Sequence, residues 1–399
     1  MSPPKADGSG ANAIRIPPEI KRRVAIPFTL AKRSRILLCA MAIQFPTIGR
    51  VAYAQLLKPW VRGVRAGRPL QAFGRLFRDG KALLRHRLWP SEARILRHDL
   101  AAVRQRRSGL YLQWEHQEHV RAYRGAIAAL GLHDKAAFAR LCTSARLPHV
   151  PTAELGGEEA IDDAWRERQP LIVKPAVGSG AQGLASLERL AADQWRLRPF
   201  RGEPCEGPLD AMLTRHRDGA RFVLQPLLHN HADLAALVGT SLATFRTVTA
   251  ASENRQPKVL SLLAELPLDD ALPMPRRWLV LPVDPASGKL ATCDSRAIER
   301  IDDQQSRKRA GELSGQVLPG AASVAALACD AHAAVLRAAG ADQPPPMIGW
   351  DLAFTTSGPL LIELNWNWAV LPHYRNGAGL DFSRSTDFAR VAGSAHSTA

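Results

Sequence analysis

The sequence has few cysteines and lacks the patterns that usually pair them. Its 399 residues include five cysteines, an odd number, and no C-x-x-C pair. Both observations argue against a disulfide framework or a zinc site, and they favour reduced thiols in a cytosolic compartment. Long apolar runs are missing near the N-terminus as well. The most apolar run there, Ile36–Ile43, is far shorter than the ~20 residues of a membrane-spanning helix.

Three common nucleotide-binding motifs are also incomplete. The stretch LIVKPAVGSGAQG, residues 171–183, holds a G-x-G-x-x-G loop, but Leu184 follows where a P-loop has its lysine. A dinucleotide-binding loop needs an acid about 20 residues further on at a strand end, and here position 203 lies in the loop RGEPCEGP. A protein kinase places its lysine after the glycine loop, whereas Lys174 precedes it. Alone, the loop is equally consistent with a simple turn.

Acidic residues are scarce in the first 150 positions. This part has 28 Lys and Arg against 8 Asp and Glu, a net charge of +20, whereas residues 151–399 carry −4. Apolar residues at three-to-four spacing, such as Phe73, Leu76 and Phe77, predict basic amphipathic helices. These helices either bind an anionic membrane surface or form a solvated cap. No zinc finger or RNA-recognition signature appears, so no specific nucleic-acid partner is expected.

Strand-like and helix-like segments follow one another without strict alternation, which predicts an α+β protein. Asp134 is predicted to cap the helix that opens at Lys135. Composition and periodicity predict a disordered tail over residues 1–20, a basic helical region over 21–110 and a final tail over 386–399.

Late in the chain, two strand-like segments carry oxygen ligands. Glu363 and Asn365 lie two apart in LLIELNW and therefore point to one face, to which Asp351 of IGWDLAF could also point. Two converging carboxylates would be costly without a cation to neutralise them. Carboxylate and amide oxygens suit hard ions. The pattern therefore predicts Mg²⁺, with Mn²⁺ as the alternative ion.

Five segments in order resemble the ATP-grasp superfamily, and within it the group associated with sugar transfer and polysaccharide-synthesis clusters. They are HDK, QPLLHNH, TFRTVT, IGWD and IELN, and the resemblance covers residues 131–380. It implies an ATP-grasp fold, in which two α+β subdomains grip ATP. Linker helices and the first subdomain with its glycine-rich flap would span residues 111–228, and the second subdomain with the metal site would span residues 229–385. It assigns catalytic roles to Lys174 and Arg246, with Arg246 neutralising phosphate or a developing acyl phosphate, and metal binding to Asp351, Glu363 and Asn365. The residues that it implies for ATP binding are Lys135, Lys174, Gly178, Ser179, Gly180, Gly183, Gln225, Pro226, Leu227, Leu228, His231 and Asp233. Among them, the backbone from Gln225 to Leu228 would meet adenine, and Asp233 or His231 would face the ribose.

The resemblance implies an ATP- and Mg²⁺-dependent ligase that activates a carboxylate as an acyl phosphate for attack by an amine or a thiol, in polysaccharide, cell-envelope or secondary-metabolite biosynthesis. Two alternatives remain open: a small-molecule or sugar kinase, and a non-catalytic membrane-associated scaffold. The expected partners are a small carboxylate and an amine or sugar acceptor, with an anionic membrane surface for residues 21–110. The expected location is the cytoplasm, including the inner face of the membrane. Arg276, Arg277 and Trp278 replace the asparagine and paired glycines that usually shape the acceptor side, so the substrate stays unidentified.

Overall fold

The computed structural model describes most of residues 113–370 and a few positions before them. The ranges are 113–155, 170–178, 181–217, 220–251, 255–271, 273–291, 304–339 and 347–370, with isolated positions between 60 and 77 and at 165 and 167. The chain divides into two compact units, residues 1–100 with 382–399, and residues 101–381. In the first unit the described residues include Phe73 and Phe77, whose side chains are largely exposed. Both predicted tails lie outside the described residues.

Two helices open the described part of the second unit, α1 (Gln113–Ala129) and α2 (Lys135–Ser144). Asp134 is the N-cap of α2, as predicted, because its carboxylate accepts hydrogen bonds from the N–H groups of Ala136 and Ala137. The other carboxylate oxygen accepts a hydrogen bond from Arg221 at 2.8 Å. Burial raises the pKa of Asp134, but these hydrogen bonds outweigh it and hold the pKa below its usual value. The start of α2 is therefore fixed by a charged cap.

The first antiparallel sheet contains strands from residues 153–226 and has the order β1-β6-β2-β3-β4-β5. Leu171 and Val173 of β2 are fully buried and alternate with Lys174, which therefore lies on the opposite face. Helix α3 covers the buried face with Leu209 and Met212. The elements are β1 (Ala153–Leu155), β2 (Leu171–Pro175), β3 (Ala185–Ala191), β4 (Gln194–Pro199), β5 (Cys205–Gly207), α3 (Leu209–Arg217) and β6 (Phe222–Pro226).

The second antiparallel sheet has the order β11-β10-β7-β8-β9. Helix α6 packs on the face of this sheet that forms the main core, and its buried side chains include Val324 and His332. By length and composition alone α6 could cross a membrane, and 56% of it is buried within the molecule. The elements are α4 (Ala232–Val238), β7 (Thr244–Ala251), β8 (Pro257–Pro267), β9 (Trp278–Val283), α5 (Gln304–Leu313), α6 (Ala321–Ala338), β10 (Met347–Thr355) and β11 (Gly358–Asn365). Mixed helices and antiparallel sheets confirm the predicted α+β class.

Two chain crossings lead into and out of the first sheet, and each is hydrogen-bonded to the second sheet. Before β1, the N–H of Val150 donates to the carbonyl of Leu361 in β11 at 3.0 Å. After β6, the N–H of His231 donates to the carbonyl of Phe354 in β10 at 2.9 Å. The N–H of Leu227 donates to the carbonyl of Pro170, just before β2 begins. Both crossings are therefore short and anchored, which limits how the two sheets can be arranged.

Candidate functional site

Strand register brings three charged residues together on the face of the second sheet away from α6. Asp351 of β10 lies opposite Arg246 of β7 on one side and opposite Glu363 of β11 on the other. Directly opposite residues in neighbouring strands place their side chains side by side on the same face. Arg246 donates two hydrogen bonds to Asp351, from Nε at 2.9 Å and from an Nη at 3.1 Å.

A β-bulge adjusts this row. Asp351 pairs with Glu363 while the next residue, Leu352, pairs with Leu361, so Ile362 is an extra residue in β11. Because of this insertion, Glu363 rather than Ile362 lies opposite Asp351. The Asn365 amide then donates to the Asp351 carboxylate at 2.6 Å. The three predicted metal ligands therefore lie on one face, as the spacing predicted, although the bulge could not be foreseen.

Two lysines approach this row from other elements. Lys135, at the start of α2, places Nζ 3.7 Å from a Glu363 carboxylate oxygen and donates to the carbonyl of Gly178 at 3.0 Å. Lys174 reaches the cluster from β2 of the first sheet. Burial lowers the pKa of Lys174 to about 8, and Lys135 adds to this effect, although Glu363 and Asp351 oppose it. The structure thus joins the lysines to the carboxylates.

Glu265 of β8 also belongs to this face, and the motifs did not single it out. One of its oxygens lies 3.3 Å from an Nη of Arg246, and the other accepts a hydrogen bond from Thr244 at 3.0 Å. Burial lowers the pKa of Arg246, but Asp351 and Glu265 outweigh it and raise the pKa above its usual value. Arg246 was predicted to neutralise phosphate or an acyl phosphate. In the structure its guanidinium is shared by two carboxylates.

The charge argument for a metal ion is wrong for this arrangement. The sequence suggested that the carboxylates would lack a cation, yet Arg246 pairs with Asp351 and Lys135 with Glu363. Among the described residues, no group of three or more His, Cys, Asp and Glu side chains is placed to hold a metal. The donor set is instead two carboxylates and the Asn365 amide, which are the oxygen ligands that Mg²⁺ takes. These residues fit the ion chemically, and the metal assignment stays a prediction.

The glycine loop is only partly described. Gly178 and Gly183 both adopt positive φ angles, 147° and 69°, which side chains other than glycine rarely tolerate. A Cβ on Gly183 would lie 2.7 Å from a Pro175 ring carbon, so the loop also packs too closely for another residue there. Ser179 and Gly180 lie outside the described residues.

The segment predicted to meet adenine is Gln225 to Leu228, with Pro226 and Leu227 between them. Gln225 is buried and donates to Thr152, while the Leu227 N–H is used by Pro170. The donor that an adenine edge needs would therefore have to come from another residue of the segment.

His231 and Asp233, the predicted ribose contacts, stand at the start of α4. His231 is its N-cap, and its ring accepts a hydrogen bond from the Asp233 N–H. The Asp233 side chain is 75% exposed. Their described contacts connect them to α4 and Phe354 rather than to the charged cluster. The structure brings the lysines, Arg246 and the three predicted metal ligands together, and it leaves these two residues apart from that set.

Residues 115–387 match the family described as sugar-transfer associated ATP-grasp. No curated protein matches this chain. Among solved structures, it is similar to an L-amino acid ligase from Bacillus licheniformis at 12% identity and TM-score 0.31, covering 59% of this chain and 40% of that one. It is also similar to a D-cycloserine synthetase (18% identity, TM-score 0.34, covering 64% and 70%) and to a D-alanine–D-alanine ligase from Bacillus anthracis complexed with ATP (13%, 0.35, covering 68% and 73%). The chain thus spans less than half of the L-amino acid ligase, and likenesses at such TM-scores carry no argument about substrates.

Proposed function

This chain belongs to the sugar-transfer associated ATP-grasp family, and on that basis we propose that it is an ATP-dependent ligase. It would activate a carboxylate as an acyl phosphate, which an amine or a thiol then attacks. One observation carries the proposal: Lys135 and Lys174 converge with Arg246 on the Asp351–Glu363 pair. Three cations clustered around two carboxylates suit a site that positions a polyphosphate and stabilises its transfer.

Each cation has a distinct place in this proposal. Lys135 and Lys174 would bind ATP phosphates beside Gly178, where backbone groups approach without a side chain in between. Arg246 would bind the transferring phosphoryl group or the acyl phosphate, which requires it to loosen one of its two carboxylate contacts. Asp351, Glu363 and Asn365 would hold Mg²⁺ or Mn²⁺, and the ion would neutralise phosphate charge when bound.

The reaction needs no nucleophile from the protein. The γ-phosphoryl group passes from ATP to a carboxylate oxygen and ADP leaves. The acceptor then forms a bond to the carbonyl carbon, and phosphate departs with the electron pair of the broken C–O bond. Burial raises the pKa of the Cys142 thiol to about 12, which keeps this cysteine from acting as a thiolate. The work of the site is therefore positioning and charge stabilisation.

We also propose that the reaction takes place in the cytoplasm, in polysaccharide, cell-envelope or secondary-metabolite biosynthesis. The family description, which associates these proteins with sugar transfer, supports the biosynthetic role. A small carboxylate and an amine or sugar acceptor are the corresponding substrates.

The test is ATP turnover with panels of amino acids and sugar acids, followed by phosphate release and product mass. We expect ADP, free phosphate and an amide or thioester; a phosphoester without free phosphate would identify a kinase instead. Glu363→Gln should abolish Mg²⁺-dependent turnover. Asn367→Ala is the matched control, because Asn367 follows the same strand but contacts Gln117 rather than the cluster. Equal loss in both variants would contradict the role given to Glu363.

A further inference from the structure

Glu265 is held on the polar face of the second sheet by two neighbours. It lies opposite Thr244 in the pairing of β7 with β8. The Thr244 hydroxyl donates to one carboxylate oxygen at 3.0 Å, and an Nη of Arg246 lies 3.3 Å from the other. The side chain is 17% exposed, so it remains accessible. The carboxylate is therefore oriented and partly desolvated beside the residue proposed to bind the reacting phosphate.

Glu265 shares its ion-pair partner with a second carboxylate. Among the described residues, Arg246 is the one cation within ion-pair distance of Glu265. Arg246 also makes two shorter hydrogen bonds to Asp351, at 2.9 and 3.1 Å. These three groups together carry a net charge of −1. A partly buried carboxylate that shares its cation with another carboxylate is stabilised by a second cation.

The site is also electrically uneven along the sheet. Lys135 pairs with Glu363 in the edge strand β11, and Lys174 interacts with Glu363 and with Asp351 of β10. Glu265 lies in β8, three strands away in the order β11-β10-β7-β8, which is about 14 Å at the usual strand spacing. Phosphates held by the lysines would leave Glu265 at the far end. Arg246 stands between the two ends.

We propose that Glu265 binds the ammonium group of the acceptor, so that the acceptor is a cationic amine rather than an alcohol or a thiol. This inference rests on the proposed ligase function. When Arg246 binds the phosphate or the acyl phosphate, its interaction with Glu265 weakens, and the ammonium group replaces it. The phosphate or acyl phosphate thus pairs with Arg246, and the acceptor ammonium group pairs with Glu265.

The same contact supplies a proton acceptor. The bound ammonium loses one proton to the Glu265 carboxylate, and its nitrogen attacks the carbonyl carbon. The C–N bond forms, and the bond between the carbonyl carbon and the bridging phosphate oxygen breaks. Phosphate leaves with the electron pair of that broken bond and takes the second proton. Burial raises the pKa of Glu265, which makes this carboxylate a better base.

A binding experiment tests the inference without the natural substrate. The full-length chain is saturated with ADP, Mg²⁺ and inorganic phosphate, then titrated calorimetrically with propylamine and with 1-propanol. We expect propylamine to bind at least about tenfold more tightly, as for a hydrogen bond to a charged group. Glu265→Gln should remove this preference with ADP affinity unchanged, and Glu265→Asp should retain part of it. Glu206→Gln is the matched control, since Glu206 also pairs with an arginine but lies in the first sheet.

The outcomes separate this inference from the ligase proposal. Equal binding of amine and alcohol to the wild-type chain overturns the inference, as does a preference that Glu265→Gln leaves intact. If the chain forms amides and Glu265→Gln leaves the dependence on amine concentration unchanged, the ligase function is supported and the role given to Glu265 is contradicted. If the preference for amine depends on Glu265 but the chain makes only phosphoesters, the ligase proposal is overturned instead.

Discussion

The two lysines of the candidate site have different surroundings. Lys135 hydrogen-bonds to the Gly178 carbonyl and pairs with Glu363, whereas the Lys174 side chain has no hydrogen bond or ion pair among the described residues. Burial and the nearby charge of Lys135 lower the pKa of Lys174 to about 8. Near neutral pH, the charged form of Lys174 therefore carries a desolvation free-energy cost. A bound phosphate would supply the missing partner and raise that pKa again.

We therefore predict that ATP binding takes up a proton at pH 8. The free Lys174 is about half protonated there and the bound one fully protonated, so the uptake is about 0.5 proton per site. At pH 6.5 Lys174 is already charged, so its contribution to the uptake falls close to zero. Calorimetry of ATP binding in buffers with different ionisation enthalpies measures the uptake. Lys174→Met should remove it, and equal uptake in this variant at pH 8 would contradict the assignment.

Some residues of the site could be predicted and others could not, for a physical reason. Asp351, Glu363 and Asn365 were predicted from strand periodicity and resemblance, and the structure places them on one face. Glu265 was missed because its neighbours depend on the register of β7 with β8, which no local pattern fixes. The same pairing gives Arg246 two carboxylates, so the expected shortage of cations was wrong.

At the scale of elements, β10 is the strand on which the site depends most. Asp351 points to the polar face, while Trp350 points into the core and donates to the Thr249 hydroxyl. Gly349 lets the chain after β11 approach closely, since a Cβ there would lie 2.8 Å from the Asn365 carbonyl oxygen and from Trp368. The position of Asn365 therefore depends on the absence of a side chain at Gly349.

Gly349→Ala should destabilise the protein by about 1–3 kcal/mol, the usual range for overpacking. It should also weaken ATP turnover, because Asn365 must shift with its backbone. Chemical denaturation and turnover assays measure the two effects. Gly125→Ala in α1 is the control: nothing lies within 4 Å of its Cβ position, so a neutral or slightly stabilising effect is expected. Similar losses in both variants would contradict the close approach.

At the scale of the whole molecule, the α+β class and the ATP-grasp fold followed from the sequence. The order of five motifs predicted the fold, and the family match over residues 115–387 confirms it. The bulge at Ile362 could not be predicted, because it depends on pairing between strands. In the basic N-terminal part, Arg75, Arg78, Lys81 and Arg85 recur in the sequence at three-to-four spacing, a pattern that predicts one basic helix face. These four residues lie outside the described residues.

The charge of that part still makes a testable prediction about the whole chain. Residues 1–150 carry a net charge of +20, and each basic residue near an anionic membrane contributes ~1 kcal/mol. We expect the full-length protein to sediment with anionic vesicles at low salt, to bind neutral vesicles little, and to be released as salt shortens the Debye length. Glutamine at those four basic positions should weaken binding. Equal binding to both vesicle types would leave the basic segment as a solvated cap.

The connections between the two sheets also set how nucleotide can exchange. The polypeptide chain itself forms the crossings at residues 150–153 and 226–231. The Leu227 N–H donates a hydrogen bond to the Pro170 carbonyl, just before β2. At the other end of β2, the links between the first sheet and the start of α2 are non-covalent. They are the Lys135 N–H to Ala176, the Lys135 side chain to Gly178, and the Arg221 guanidinium to Asp134. A rotation about the crossings would separate the sheets where those few hydrogen bonds hold them. The rate of ADP departure would then depend on the lifetime of the α2 contacts rather than on strand unfolding.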